Sequence, residues 1–239
     1  MNLRNKFLTF PLCTLLLITT ACHKEGAIGT NSGGASSPGS GSASSSTAVI
    51  SANDKPLDVM TKAMRAQLDA KSFRAHITSS ASNGPSNKMT IEYVAPDRYR
   101  MVSEAQGGEG KNFNQEFIIV GNATFIKGPN GQWVKSPVDA GGMVKAFRDP
   151  KMLDELAKTA DVKYAGAEML DGAPMLIYEY TQNNPMGMNL KSTAKTWLSV
   201  ADGLPRKTET EGEFNGQKTK TLITISDYNT DIKIESPLK

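Results

Sequence analysis

The sequence predicts an α+β domain: a strongly curved antiparallel sheet, a half-barrel of about ten or eleven strands, with one long N-terminal helix and short helices packed in its concave face. Three observations predict it. A series of short segments between Phe73 and Tyr228 alternates apolar and polar residues at the strand period of two. Tight turn residues separate them, which favours antiparallel meanders over parallel crossovers. Only two stretches, one before Phe73 and one from Asp139 to Lys158, carry helical apolar spacing. A sheet this broad curls, and its apolar face needs a cover that only the helices can supply.

The elements follow in order. Asp54 is placed to cap a helix with Pro56 in its first turn. Leu57, Met60, Ala63, Met64 and Leu68 then share one face, with Lys62, Arg65 and Asp69 opposite. Phe73, Ala75 and Ile77 alternate with polar neighbours, as do Met89, Ile91 and Tyr93, and Pro96-Asp97 turns the chain into a strand starting at Arg98. Glu116 to Val120 and Ala123 to Lys127 flank Gly121-Asn122, a hairpin signal. Gly128-Pro129-Asn130-Gly131 makes a turn before Trp133 and Val134. From Asp139 the helical pattern places Met143, Val144, Phe147, Leu153 and Leu156 as apolar positions, and Asp149-Pro150 divides it into two short helices. Strands resume at Val162 to Met169, turn at Asp171-Gly172 and return through Met175 to Thr181. Ser192 to Val200, Leu204 to Glu213 and Lys218 to Tyr228 complete the set, the last two joined by Asn215-Gly216, and Ile232 to Ile234 either pairs or trails.

The residues before this domain read as an export leader and a tether. Arg4 and Lys6 precede an apolar run from Phe7 to Ile18, and small residues Thr19, Thr20 and Ala21 lead into Cys22. That run falls short of the roughly 20 residues needed to span a bilayer. A cysteine at the cleavage point is what lipoprotein processing requires, although Thr19 stands where leucine is commonest. The expected organisation is a signal peptide over 1–21, a lipidated Cys22 with a Gly/Ser-rich linker over 22–52, and one domain over 53–239. A plain cleaved leader and an uncleaved short anchor are the alternatives. Two or three acyl chains would hold the chain stably on a membrane. Cys13 lies in the leader, so the mature chain has no thiol left for a disulfide, a metal or a nucleophile.

The order of these elements resembles the LolA/LolB lipoprotein-carrier superfamily, with its LppX/LprG-like and RseB-like branches. The resemblance is carried by the capped helix leading into Phe73, by Ile91-Glu92-Tyr93-Val94-Ala95-Pro96-Asp97-Arg98-Tyr99-Arg100, by the Gly121-Asn122 hairpin with Phe125, by Trp133, and by Trp197 before Asp202-Gly203-Leu204-Pro205. It implies an apolar hollow between sheet and helices that holds lipid or lipoprotein acyl chains. The residues expected to line it are Met60, Met64, Leu68, Phe73, Ile91, Tyr93, Tyr99, Phe125, Trp133, Met143, Phe147, Leu176 and Tyr178. In the soluble carrier an arginine before the equivalent of Pro96 helps hold the lid shut; here that position is Ala95. Ala95 and the lipid anchor point away from a soluble shuttle and towards an anchored acceptor, in lipid or lipoprotein traffic. The alternative is a non-catalytic envelope sensor or scaffold with a protein partner. His23 after Cys22 is not the aspartate associated with inner-membrane retention, which favours the outer membrane, facing the periplasm.

Other chemistry finds little support. Formal charge is +3, and loss of Arg4 and Lys6 leaves +1, with lysines and acids interspersed and no basic stripe for nucleic acid. His76 is the single histidine of the domain and has no paired-ligand spacing for a metal. No Gly-x-Ser-x-Gly elbow presents a serine, and Gly107 to Gly110 has no flanking strand and helix to make a phosphate cradle. Neither catalysis nor a cofactor is expected. Methionines such as Met60, Met64, Met143, Met152, Met169, Met175, Met186 and Met188 read either as an adaptable lining or as gap filler beneath a curved sheet. Arg98 and Arg100 stand where the family's acyl head group emerges, and read either as anion ligands or as a solvated strand face.

Overall fold

The computed structural model describes residues 50–82, 86–106, 112–151, 160–183, 190–214 and 217–238. The elements run α1 (Pro56–Asp69), β1 (Ser72–Ala81), β2 (Asn87–Val94), β3 (Arg98–Gln106), β4 (Asn112–Val120), β5 (Ala123–Lys127), β6 (Trp133–Lys135), α2 (Ala140–Phe147), β7 (Asp161–Leu170), β8 (Ala173–Asn183), β9 (Leu190–Ser199), β10 (Pro205–Phe214) and β11 (Gln217–Ser226). All eleven strands form one antiparallel sheet in the order β6-β5-β4-β3-β2-β1-β11-β10-β9-β8-β7. Two meanders are therefore sewn together at β1 and β11, the single pair of neighbours far apart in the chain. Ala75 faces Ile225 there, and Ile77 faces Ile223.

Local chemistry sets the connections. Asp171 and Gly172 both take positive φ, 51° and 80°, the geometry of a two-residue hairpin, and join Leu170 to Ala173. Gly141 in α2 lies so close to the β4–β5 turn that a Cβ would stand 2.0 Å from the Gly121 carbonyl oxygen, so only glycine lets α2 seat there. Asp139 Oδ1 accepts from the Gly142 amide at 3.0 Å and caps α2. The helix ends at Phe147, ahead of Asp149-Pro150; Met152, Leu153 and Leu156 lie outside the described residues.

Several sequence expectations shift. The N-cap of α1 is Lys55, not Asp54, and no side chain caps it. Asp54 instead accepts from the Ser51 amide at 3.2 Å, in the turn ahead of the helix. The buried stripe of α1 is Val59, Met60 and Ala63, while Leu57 is exposed, so the helix is rolled about one position from the stripe centred on Leu57. Packing begins before residue 53: Ile50 is buried against Val59, Met60 and Ala63. Val49-Ile50 is the apolar break in the Gly/Ser run that carries it.

Register divides the sheet into two chemically different faces. On the face bearing the helices, Tyr99, Tyr93, Phe73 and their partners Ile119, Ile91 and Ile225 continue through Thr208, Thr196, Tyr178 and Tyr164. No paired position on this helix face carries a charge. The opposite, outer face holds Arg74, Glu92, Arg100, Glu116, Lys195, Lys207, Glu209, Glu211 and Lys220. Such strict alternation fixes the register, since a slip by one residue would put every charge on the helix side.

The C-terminal segment belongs to the outer face. Asn229 donates its amide to the Ser72 carbonyl at 2.9 Å, and its Oδ1 accepts from the Lys71 amide at 2.8 Å. Beyond it, Ile232 and Ile234 pack on Ile118, Phe125, Val94, Val120 and Trp133, and Arg98 donates to the Ile234 carbonyl at 2.8 Å. This segment forms no strand; it is a strap.

Candidate functional site

Two apolar clusters build the helix face. In one, Val59, Met60 and Ala63 of α1 pack with Ile50 on Leu176, Tyr178 and Leu198. In the other, Phe73, Ala75, Ile77, Ile91, Tyr93, Tyr99, Ile119 and Ile225 form a floor on which Ala140 and Val144 of α2 rest. A fully buried large apolar side chain contributes about 1.5–3 kcal/mol, so each cluster is a substantial part of the fold's stability. Beyond them, Met89, Met101, Phe117, Ile126 and Ile223 extend the same face but are only half-buried. The helix face thus continues as apolar surface past the parts that the helices cover.

The floor contains a file of aromatic rings. Cross-strand pairing sets Phe73 beside Tyr93 and Tyr93 beside Tyr99, with ring centroids 5.1 and 4.9 Å apart. Tyr228 adds a fourth ring 5.9 Å from Phe73, its hydroxyl donating to the Pro205 carbonyl at 2.9 Å. Burial pushes the phenols of Tyr93, Tyr99 and Tyr228 upward, so all stay neutral at physiological pH. Arg148, just past α2, lays its guanidinium carbon 4.0 Å from the Tyr93 ring centroid and donates to the Leu68 carbonyl in the last turn of α1. It joins the two helices across the floor.

Farther along the strands the helix face changes from rings to hydroxyls. Ser79 and Thr221 share a hydrogen bond at 3.1 Å, as do Thr196 and Thr208 at 3.1 Å, and Ser103 donates to Asn87 at 3.2 Å. These groups satisfy each other. Tyr178 is the exception: it is fully buried, and its hydroxyl has no partner among the described residues.

The residues expected to line a hollow divide as follows. Met60, Phe73, Ile91, Tyr93, Tyr99, Leu176 and Tyr178 all lie in the two helix-face clusters. Met64 and Leu68 are half-buried on α1. Phe125 and Trp133 are corrected: both point to the outer face, beneath Ile232 and Ile234. Phe125 pairs with Ile118, whereas the helix-face file runs through Ile119 and Thr124. In Ala123 to Lys127 Phe125 and Ile126 are adjacent, so alternation alone does not say which points inward. Met143 and Phe147 fall in α2, with side chains outside the described residues, where Cys22, Met186 and Met188 also lie. Arg98 serves the C-terminal strap and Arg100 the outer-face ion pairs. The sequence reading missed Ile50, Val59, Arg148 and the strap. For Val59 and Ile50 an apolar signal existed, but nothing in the spacing singled out Arg148.

Among the described residues no three His, Cys, Asp or Glu side chains are grouped to hold a metal ion. His76 stands on the outer face, Nδ1 3.1 Å from the Thr90 hydroxyl. Among those residues no helix is long and apolar enough to cross a membrane.

This architecture, one broad antiparallel sheet with an uncharged face under two helical covers, is shared with solved structures of mycobacterial lipoproteins. Among solved structures the chain is similar to lipoprotein LppX of Mycobacterium tuberculosis, with a TM-score of 0.53 at 11% identity over 75% of this chain and 97% of that one. It is likewise similar to LprF from Mycobacterium bovis, with a TM-score of 0.51 at 13% identity over 76% of this chain and 96% of that one. No protein-family model matches the sequence, and no curated protein does. The likeness is one of fold.

Proposed function

We propose that this chain is a membrane-anchored envelope lipoprotein that takes up lipid or lipoprotein acyl chains on the helix face of its sheet. One observation carries the reading. The helix face has no charged paired position in eleven strands, and it continues beyond the packed helices as the half-buried side chains of Met89, Met101, Phe117, Ile126 and Ile223. A sheet of this breadth curls, which turns that face into a half-barrel hollow. Methionines at its margin can repack around chains of different shape. Transfer would need no bond-making residue; a lipid moves to whichever site binds it more tightly. The anchor at Cys22 and the tether up to residue 49 would keep the hollow close to a membrane, in the outer membrane facing the periplasm.

Native mass spectrometry of the full chain carrying Cys22→Ala, freed of detergent, tests the proposal. The substitution removes the chain's own acyl groups. One or more retained lipid masses, exchangeable for added palmitate, are expected; a chain that retains and accepts nothing refutes the acyl-binding role.

A second reading rests on the edge strand β7. Its ten residues end the sheet, with Tyr164 and Met169 exposed, and among the described residues no strand pairs with its outer edge. An extended segment of an envelope protein partner could add there. Replacing Lys163 by Pro, which strengthens the block on strand addition, would abolish a stoichiometric partner bound this way and leave lipid retention unchanged.

A further inference from the structure

We propose that Arg148 recognises the charged head of the bound molecule, so that the ligand is an anionic amphiphile, with a carboxylate or phosphate head, rather than a neutral lipid. This inference rests on the reading of the helix face as an acyl-chain site and names the class of ligand that site takes.

The argument starts from charge. All paired helix-face positions are uncharged, so a guanidinium reaching that face from the end of α2 stands apart. Its partners are neutral: the Tyr93 ring at 4.0 Å, the Leu68 carbonyl, and the Tyr99 hydroxyl. Among the described residues no carboxylate is paired with it. Asp97, whose charge reaches Tyr93 and Tyr99, is paired with Lys145 at 3.5 Å. A half-buried cation with neutral partners is only partly compensated. The guanidinium carries five N–H donors, and a carbonyl and a phenol do not exhaust them. A carboxylate or phosphate would supply the missing charge through a two-pronged hydrogen bond, which an ester or a hydroxyl head cannot match.

Position fits the same assignment. Arg148 lies where the last turn of α1 meets the end of α2, over the Tyr93 ring of the aromatic floor. A head group held there leaves its tail to run over uncharged surface. Since the same guanidinium ties α1 to α2 through Leu68, an anion that draws it away from that carbonyl also loosens the cover. Binding the head and admitting the tail are then one event.

The test is a competition on the full chain carrying Cys22→Ala at pH 8, with a neutral environment-sensitive dye displaced by palmitate, methyl palmitate or inorganic phosphate. Palmitate is expected to displace the dye at concentrations about tenfold or more below those of its ester. Arg148→Met should erase that ratio, Arg148→Lys should retain part of it, and inorganic phosphate alone should displace nothing. Equal displacement by palmitate and ester overturns the assignment, on the unsubstituted Arg148 and so whatever the variants do to folding. Displacement by inorganic phosphate also overturns it, in favour of a free-anion site. If dye, palmitate and ester all fail to bind, the acyl-chain reading itself is what falls.

Discussion

The two faces of the sheet solve the same problem by different means. The helix face holds its neighbours by burial: Tyr93, Ile119, Tyr178 and Leu198 are all but inaccessible to water, and hydroxyls there bond to each other. The outer face is held by charge. Lys127, Glu116, Arg100, Glu92, Arg74 and Asp227 form a continuous ladder from β5 to the chain's last turn, with Lys127–Glu116 at 2.9 Å, Arg100–Glu116 at 2.8 Å and Arg74–Glu92 at 2.8 Å. The outer face buries apolar groups in two places: the strap covers Phe125 and Ile118, and Met175, Ile177 and Trp197 bury one another. Among the described residues the helix face leaves the broader apolar surface half-covered, in Met89, Met101, Phe117, Ile126 and Ile223, whereas the outer face exposes Leu222 among charged neighbours. That asymmetry is why the proposed acyl chain is assigned to the helix face.

The comparison can be broken most forcefully at the helix face. Leu198→Ala empties a site with no solvent contact, and a loss of about 2–5 kcal/mol in chemical denaturation is expected. On the outer face the largest effect should come from the strap. Ending the chain after Asp231 removes Ile232, Ile234 and the Arg98 bond, and should cost about 2–4 kcal/mol while raising binding of an apolar dye at Phe125 and Ile118.

The ladder should matter less. Glu116→Gln frees Arg100 and Lys127 from their shared acceptor, with an expected loss of about 1 kcal/mol or less that shrinks further in high salt. Its pH dependence has a definite sign. Burial pushes the Glu116 carboxyl up, but hydrogen bonds from Lys127 and Arg100 and their charges outweigh it and hold the group below the usual 4.5. Its contribution is therefore fully present above the unfolded carboxylate range and lost as pH falls through the lower folded value. Denaturation midpoints of the native chain and Glu116→Gln should differ at pH 7 and converge as the pH is lowered towards 3. The smallest change is expected from Tyr178→Phe. A buried hydroxyl without a partner contributes nothing to lose, so stability should be unchanged or slightly higher.

Much of this was legible in the sequence because strand alternation is strict. Alternation set Phe73 with Ala75 and Ile77, and Ile91 with Tyr93, on one side of their strands, whereas Leu176 and Tyr178, in the unbroken apolar run Met175 to Tyr178, were reached only through the family resemblance. The β1–β11 pairing was not legible, since no local pattern encodes which distant strands meet. Phe125 and Trp133 were misplaced because both neighbours of an alternating pair were apolar, and because the strap that buries them is 100 residues or so away in the chain. Arg148 was invisible for a further reason: an arginine at a helix end reads as solvated until the third dimension sets it over Tyr93.

Both tryptophans of the chain, Trp133 and Trp197, lie on the outer face, Trp197 with its indole N–H donating to Glu168 and lysines over its ring. A dibrominated fatty acid, which quenches indole fluorescence only near contact, therefore reads out which face a ligand occupies. Titrated into the full Cys22→Ala chain, it should bind saturably, as judged by retained mass, with tryptophan emission essentially unchanged. Saturable quenching in step with binding would place the acyl chain on the outer face and contradict the account.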